Sequence, residues 1–364
     1  MTQMTEPMTE PTRCPHCGRP VMPYASYCEE CGGELIPTRP APTPQDGAAP
    51  DAASGQTRRL GQRASEVAVC PECGGTIDAD GYCQTCGTKA PDPRDHEEST
   101  PAPWVAGVCD RGVTHAHNED AMALWADDAA GRSVLVVCDG VSTSTDSDVA
   151  ARAAARAARA FLTTAFDEPD RVAVMRRTVA CANEAVVAHT SPDHANAASA
   201  TFAAATLDGD RLTFASLGDS RVYWVGESAA ILTTDDSMAQ EFIAQGMARD
   251  AAEALPQAHA ITKWLGLDAT DLVPDSSSMT LAGPGWVVVC TDGLWNYASG
   301  AADLAAVVHD LAGPAGGQAT PLSLARGLVA WANARGGHDN VTVAVARHPA
   351  RRDTLESQQM DGKG

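Results

Sequence analysis

The chain has 364 residues, a formal net charge of −21, 44% hydrophobic residues and twelve cysteines. That length accommodates one large domain with smaller appendages. The acidic balance argues against a general binder of nucleic acid or anionic membrane, whose phosphates are held by Lys and Arg. No apolar run reaches the length of a membrane span, and the polar start from Met1 to Pro11 has no apolar signal core, so a cytoplasmic protein is expected.

The first third carries eight of the cysteines in four Cys-x-x-Cys pairs. Cys14 and Cys17 are followed by Cys28 and Cys31, then Cys70 and Cys73 by Cys83 and Cys86. Each quartet is two short knuckles separated by a spacer of about ten residues, the pattern that supplies four thiolates to a tetrahedral zinc ion. Gly18, Gly74 and Gly87 follow the second cysteine of their pairs, and Gly32 completes the set. Glycine there permits a knuckle turn with φ above zero. Disulfides or redox pairs are the competing readings, and neither explains two matched quartets in a reducing compartment. Two structural Zn²⁺ sites are therefore expected, in a zinc ribbon over 12–35 and a second over 68–89. Neither ribbon is large enough for its own core, so the metal supplies folding energy on the order of 10–16 kcal/mol. Four thiolates leave no open position, which suits docking to a protein partner that the sequence does not name. Acidic flanks (Glu29, Glu30, Glu34, Glu72, Asp78, Asp80) disfavour nucleic acid. Residues 36–67 and 90–103, rich in Pro and Ala, read as linkers.

Globular text begins at Trp104 and is expected to run to 348, with 349–364 a disordered tail. Val105–Cys109 reads as a strand, as does Ser133–Cys138. A Ser/Thr/Asp loop from Ser142 to Ser147 suits a helix N-cap, and Val149–Phe166 reads as an Ala-rich helix with Arg152, Arg156 and Arg159 along its outer face. A second helix follows over 171–189. Short strands with tight turns occupy 200–234 as an antiparallel meander. Asp236-Ser237 caps a short helix, and helices over 301–312 and 321–335 follow a strand ending at Cys290. Strands, two helices, many strands, helices and a last strand predict an α+β fold of two antiparallel sheets packed together with helices outside.

Two apolar strands end in Asp-Gly, at Asp139-Gly140 and Asp292-Gly293, and a loop Asp, Asp339, precedes the last strand. An isolated Asp-Gly is ordinarily a hairpin turn. Here the pairs follow long apolar runs, and a further acidic cluster lies upstream. Carboxylates converging from distant strand ends repel by about 4 kcal/mol per pair at about 4 Å in an effective dielectric near 20. A hard divalent cation with oxygen ligands removes that repulsion.

Six motifs in order, Asp110-x-Gly112 to Asn118-Glu119-Asp120, Val137-Cys138-Asp139-Gly140, Leu217-Gly218-Asp219-Ser220-Arg221, Ile261-Thr262-Lys263-Trp264-Leu265-Gly266, Thr291-Asp292-Gly293-Leu294-Trp295 and Gly337-His338-Asp339-Asn340-Val341-Thr342, resemble the bacterial metal-dependent protein phosphatases of the protein phosphatase 2C type. The resemblance covers Val105 to Arg347 and implies a four-layer α-β-β-α sandwich with metals in a cleft between the sheets. It implies a hydrolase that cleaves phosphoserine and phosphothreonine with a bridging hydroxide on two Mn²⁺ or Mg²⁺ ions. Asp139 would bridge both ions and the Gly140 carbonyl would face one. Asp292 and Asp339 would hold the first, and Glu119 would reach the second, through water. Asp219 matches the aspartate of a weaker third metal, and Asn340 and Asp120 would support the ligands from behind. Its partners would be phosphorylated proteins, targets of Ser/Thr kinases.

Three positions depart from the family pattern. His115 stands where the family has an arginine that holds the substrate phosphate. A titratable single donor there implies weaker capture that improves on protonation; alternatively His115 only fills the site and a backbone amide holds the phosphate. Val141-Ser142-Thr143-Ser144 offers no histidine as leaving-group acid. Asn296 replaces an aspartate, weakening a third metal. All inner ligands are present, which favours a working enzyme over the alternative, a catalytically weak or inactive phosphatase-like scaffold that binds phosphoproteins. His117 and His338 read as loop residues and Trp295 as packing.

Overall fold

The computed structural model describes residues 12–14, 18, 20–21, 69–78, 81–88, 90, 92–189, 196–313 and 319–349. Cys17, Cys28 and Cys31, all of the linker over 36–67, and the tail from 350 onward lie outside the described residues. Contacts divide the chain into two units, one of residues 1–36 with 94–364 and one of 37–93.

The first unit opens with a small strand pair, β1 (Thr12–Arg13) and β2 (Pro20–Val21). It continues β3 (His96–Ala102), β4 (Val105–Asp110), β5 (Ala121–Asp127), β6 (Arg132–Cys138), α1 (Ser147–Thr164), α2 (Arg171–Val187), β7 (Ser199–Ala200), β8 (Phe202–Asp208), β9 (Arg211–Leu217), β10 (Arg221–Val225) and β11 (Ala229–Ile231). Then come α3 (Met238–Ala244), α4 (Arg249–Glu253), β12 (Leu265–Gly266), β13 (Asp275–Thr280), β14 (Gly285–Cys290), α5 (Asp292–Trp295), α6 (Ala301–Ala312), α7 (Pro321–Asn333) and β15 (Val341–His348).

One antiparallel sheet has the order β13-β9-β8-β6-β5 and the other β11-β10-β14-β15-β4-β3. The apolar run of β6 is continuous because both of its faces are buried. Val134, Val136 and Cys138 face α1 and α2, while Leu135 and Val137 face the opposite sheet. β14 repeats this, with Val288 and Cys290 toward α6 and α7 and Val287 and Val289 inward. Side chains alternate with period two, so each central strand serves two cores at once. The result is the expected α-β-β-α sandwich. Helix α1 buries Ala150, Ala151, Ala154, Ala155, Ala158 and Leu162, and leaves Arg156 and Arg159 exposed.

Two expectations need correction. The stretch 90–103 is not a linker throughout, because β3 pairs antiparallel with β4 and forms the edge of the six-stranded sheet. Its sequence, His-Glu-Glu-Ser-Thr-Pro-Ala, lacks an apolar pattern because most of it faces solvent. Charges and a proline beside a register shift between Ser99 and Ala102 suit an edge strand. The second correction concerns the Ser/Thr/Asp loop. The residue before α1, Asp146, has a left-handed φ of 54° and makes no side-chain cap, and the loop hydroxyls go elsewhere. Ser237 does cap α3, its hydroxyl accepting from the Gln240 amide at 3.3 Å.

Candidate metal centre

Strand ends from both sheets deliver the acidic residues to one place. Asp120 precedes β5, Asp139 follows β6 and Asp219 follows β9. Asp292 follows β14 and Asp339 lies two residues before β15. Registers agree: Ala121 pairs with Cys138 and Cys290 with Val343, so these termini lie at the same end of their sheets.

The strand ends bring these carboxylates near enough to act on one another electrostatically, although among the described residues no three of them offer oxygens within 4.8 Å of one another. The Asp139 carboxyl is held well above the usual carboxylate range by burial and by the charges of Asp120, Asp292, Asp339 and Asp219. Burial and Asp292 likewise raise Asp339, and burial with Asp292 and Asp235 raises Asp219. Asp120 is pushed up to about 7, first by burial and further by Asp292, although the Thr291 hydroxyl donates to its Oδ2 at 2.9 Å. Among the described residues no Lys or Arg forms an ion pair with these five. His115 Nε2 lies 3.4 Å from Asp339 Oδ1. Asp292 Oδ1 is buried and has no hydrogen-bond partner among the described residues. Clustered hard anionic oxygens with an orphaned acceptor fit Mg²⁺ or Mn²⁺.

The backbone around the cluster is tightly fixed. Asn340, 2% exposed, accepts from the Glu119 amide at 2.7 Å and donates to the carbonyls of Arg111 at 2.8 Å and His117 at 3.0 Å. Its own amide donates to Asp339 Oδ1 at 2.7 Å. One side chain thus ties the Asp110–Asp120 loop to the start of β15. Gly112, at φ +75°, and Gly293 make that closeness possible, since a Cβ would lie 2.1 Å from the Asp339 carbonyl oxygen and 1.9 Å from that of Asn340. Gly140 has the Ser147 carbonyl oxygen 2.6 Å and the Glu119 carbonyl oxygen 2.7 Å from where its Cβ would stand.

Glu119 differs from the aspartates in its partners. Both its carboxylate oxygens accept from hydroxyls, Ser142 at 2.5 Å and Ser147 at 2.6 Å, which is where the loop hydroxyls go. His115 is buried, at 3% exposure, against Asp339 rather than held out to solvent, and Arg111 donates to its carbonyl. Asn296 donates to Asp292 Oδ2 at 3.0 Å, so the amide that replaces an aspartate orients a neighbouring carboxylate. Trp295 is buried beneath the Arg221 guanidinium, 3.6 Å from its ring centroid, and donates to the Asp219 carbonyl at 2.9 Å. His117 and His338 bond here through backbone groups. Sequence reasoning missed Arg94, Ser142, Ser147, Thr201 and Thr291. Thr201 accepts from the Asp139 amide at 3.1 Å and meets Ser220 Oγ at 2.7 Å. Only spacing from the motifs marks the hydroxyl residues, and Arg94 lay in text read as linker.

The 37–93 unit contains a different centre. Cys70, Cys73, Cys83 and Cys86 have sulfurs all within 4.8 Å of one another, the one such group of three or more His, Cys, Asp or Glu among the described residues. Sulfur separations are 3.6 Å for Cys70–Cys86, 3.4 Å for Cys73–Cys83 and 3.3 Å for Cys73–Cys86. Four thiolates about 2.3 Å from zinc stand roughly 3.8 Å apart, so the cluster needs little adjustment. Hydrogen bonds from Thr88, through its hydroxyl and backbone, lower the Cys86 thiol to about 6. Gly74 and Gly87 have φ of +73° and +74°, and their amides donate to the Cys70 and Cys83 carbonyls at 2.9 and 2.8 Å. In the first unit, Gly18 repeats the turn with φ +74° and a 2.9 Å bond to Cys14.

A two-sheet sandwich with carboxylates gathered at its strand ends is the architecture of a metal-dependent phosphatase. The chain belongs to the protein phosphatase 2C family, whose model matches residues 111–331. Among solved structures, the serine/threonine phosphatase of S. agalactiae is 26% identical with a TM-score of 0.56, covering 68% of this chain and 98% of its own. The Mycobacterium tuberculosis serine/threonine phosphatase PstP/Ppp is 25% identical with a TM-score of 0.55, covering 66% and 97%. The catalytic domain of PstP in complex with two manganese ions is 25% identical with a TM-score of 0.52, covering 67% and 97%. No curated protein matches the chain. No helix among the described residues is long and apolar enough to cross a membrane.

Proposed function

We propose that the chain hydrolyses phosphoserine and phosphothreonine in proteins at a dinuclear Mn²⁺ or Mg²⁺ centre built on Asp139, with the thiolate clusters as structural zinc ribbons that dock a partner. One observation carries this reading: carboxylates from separate strand ends face one another, with Asp292 Oδ1 buried and left without a partner among the described residues. Such a set is tolerated in ionised form only around cations.

Asp139 is central to the cluster and would be shared by the two ions. Asp292 and Asp339 would hold the first ion, the Gly140 carbonyl and Glu119 would serve the second, and Asp219 would serve a weaker third. Asn340 and Asp120 hold these ligands from behind. When bound, the two ions supply neutralisation of the phosphoryl oxygens and a water acidic enough to attack near neutral pH. The protein fixes the ligands in advance through the Asn340 ties. Ser142 is engaged by Glu119, so the leaving alkoxide takes its proton from water. Family relatives are serine/threonine phosphatases, which supports phosphorylated proteins as substrates, targets of Ser/Thr kinases. The ribbons occupy 12–35 and 68–89, the catalytic unit begins near Arg94, and the paired thiols suit the reducing cytoplasm.

The buried His115 favours a second reading, a phosphatase-like protein that binds phosphoproteins with weak turnover or none. Its ring faces Asp339 and gives no outward fork for phosphate. Hydrolysis of a phosphothreonine peptide with Mn²⁺, with Mg²⁺ and with chelator separates the two. The enzyme reading expects Mn²⁺-dependent turnover that falls on the order of 10³-fold in Asp139→Asn. A folded parent that binds the peptide without turnover under either metal would establish the second.

A further inference from the structure

Glu119 is held from every side, and one residue does much of the holding. Arg94 donates to the Asn118 carbonyl at 2.6 Å and to the Asp120 carbonyl at 3.4 Å, the carbonyls of the residues before and after Glu119. The Asn118 amide group returns a bond to the Arg94 carbonyl at 2.8 Å. The same guanidinium reaches Asp148 Oδ2, in the first turn of α1, at 2.6 Å. That turn also carries Ser147, whose hydroxyl donates to Glu119 Oε1. Arg94 therefore closes a ring: Glu119 backbone, Arg94, Asp148, Ser147, Glu119 carboxylate. The Arg94 side chain is 22% exposed, and the planar array of guanidinium donors allows it to serve two carbonyls and a carboxylate together, which a lysine cannot do equally.

Its place in the chain gives the ring a further meaning. Arg94 is the first residue of the larger unit after the 37–93 unit. It lies in a short 3-10 turn, Pro93–Asp95, that leads into β3. We propose that Arg94 is a positioning residue for Glu119, and that the point where the ribbon-bearing segment enters the catalytic unit thereby sets the affinity of the metal site Glu119 serves. The proposal rests on the reading of Glu119 as a ligand of the second ion. A ligand carboxylate whose peptide neighbours and hydroxyl donors are fixed pays little ordering entropy on binding metal. Loss of such an outer support weakens metal binding by about 10- to 100-fold.

The test is Mn²⁺ titration of the full, zinc-loaded chain, following free Mn²⁺ by electron paramagnetic resonance, with tryptophan fluorescence to confirm folding. The parent is expected to bind two Mn²⁺. In Arg94→Ala one of the two affinities falls by about 10-fold or more while the other moves less than about 2-fold. Arg94→Lys, which keeps the charge and loses the fork, falls between the two, and it carries the test should the alanine variant fail to fold. Equal affinities at both sites in parent and variants would overturn the positioning role and leave the phosphatase reading intact. Equal weakening at both sites would also overturn it, since a general loosening of the fold acts on both. A folded parent that binds no Mn²⁺ overturns the phosphatase reading itself, and with it the proposal.

Discussion

The thiolate cluster and the carboxylate cluster, both proposed to hold a cation, are assembled by opposite means. Cys70, Cys73, Cys83 and Cys86 lie within one short stretch, and two knuckle turns bring them together with little surrounding fold. The carboxylates come from positions between Glu119 and Asp339, and two sheets with their helices are needed to assemble them. A local site of soft ligands takes its stability from the metal. A non-local site of hard ligands has a scaffold of its own, and that scaffold carries the repulsion until a cation arrives. The contrast implies that metal removal unfolds the first and only strains the second.

The largest expected effect tests the first half of that contrast. Cys73→Ser should remove the 70–86 zinc and with it folding energy on the order of 10 kcal/mol for that ribbon. Small-phosphoester turnover by the larger unit should stay within about 2-fold, because no ligand proposed for the carboxylate centre lies in the ribbon. Zinc content and turnover measured on the same sample decide it, and a coincident loss of both would break the contrast. Asn340→Ala comes next. It strips partners from the Glu119 amide and from two carbonyls. At about 1 kcal/mol or more per lost bond, denaturant unfolding should show a loss of about 3 kcal/mol. An unchanged midpoint would mean that water replaces those bonds.

A pH series probes the strain in the carboxylate centre. Asp120 is raised from 3.8 to about 7, and Asp139, Asp219 and Asp339 are raised as well. Carboxyls with folded pKa values above their unfolded values bind more protons when folded, so their contribution is fully present below the unfolded range and is lost as pH rises through the folded pKa. In chelator, the melting temperature reported by tryptophan, all of which lies in the larger unit, should fall between about pH 5 and about pH 8. Mn²⁺ should reduce that fall. A chelated protein as stable at the higher pH would show that the carboxylates are not strained. The smallest effect is expected from Asn296→Asp, which removes the donor to Asp292 Oδ2 and adds a like charge. It should lower metal-free stability by about 1 kcal/mol and raise the number of Mn²⁺ bound, read by unfolding and by metal titration.

Much of the architecture was legible because its causes are local. Continuous apolar runs such as Ser133–Cys138 gave the central strands, Ala-rich periodicity gave α1 within two residues at each end, and Ser237 announced α3. The edge strand β3 escaped because a strand paired on one side and exposed over most of its length needs no apolar signature. The three departures from the family pattern were visible as residue types, but their orientations were not: His115 turns onto Asp339, and Asn296 onto Asp292.

By itself, then, the sequence determined the fold class and the candidate residues for the chemistry, since knuckle spacing, an Asp-Gly at the end of an apolar strand and an ordered set of motifs are properties of short segments. Only the tertiary structure decided what surrounds them. Arg94, Ser142, Ser147 and Thr201 fix Glu119 and Asp139 through bonds that no motif announces, because a hydrogen bond depends on distance in space and the sheets bring together residues far apart in the chain.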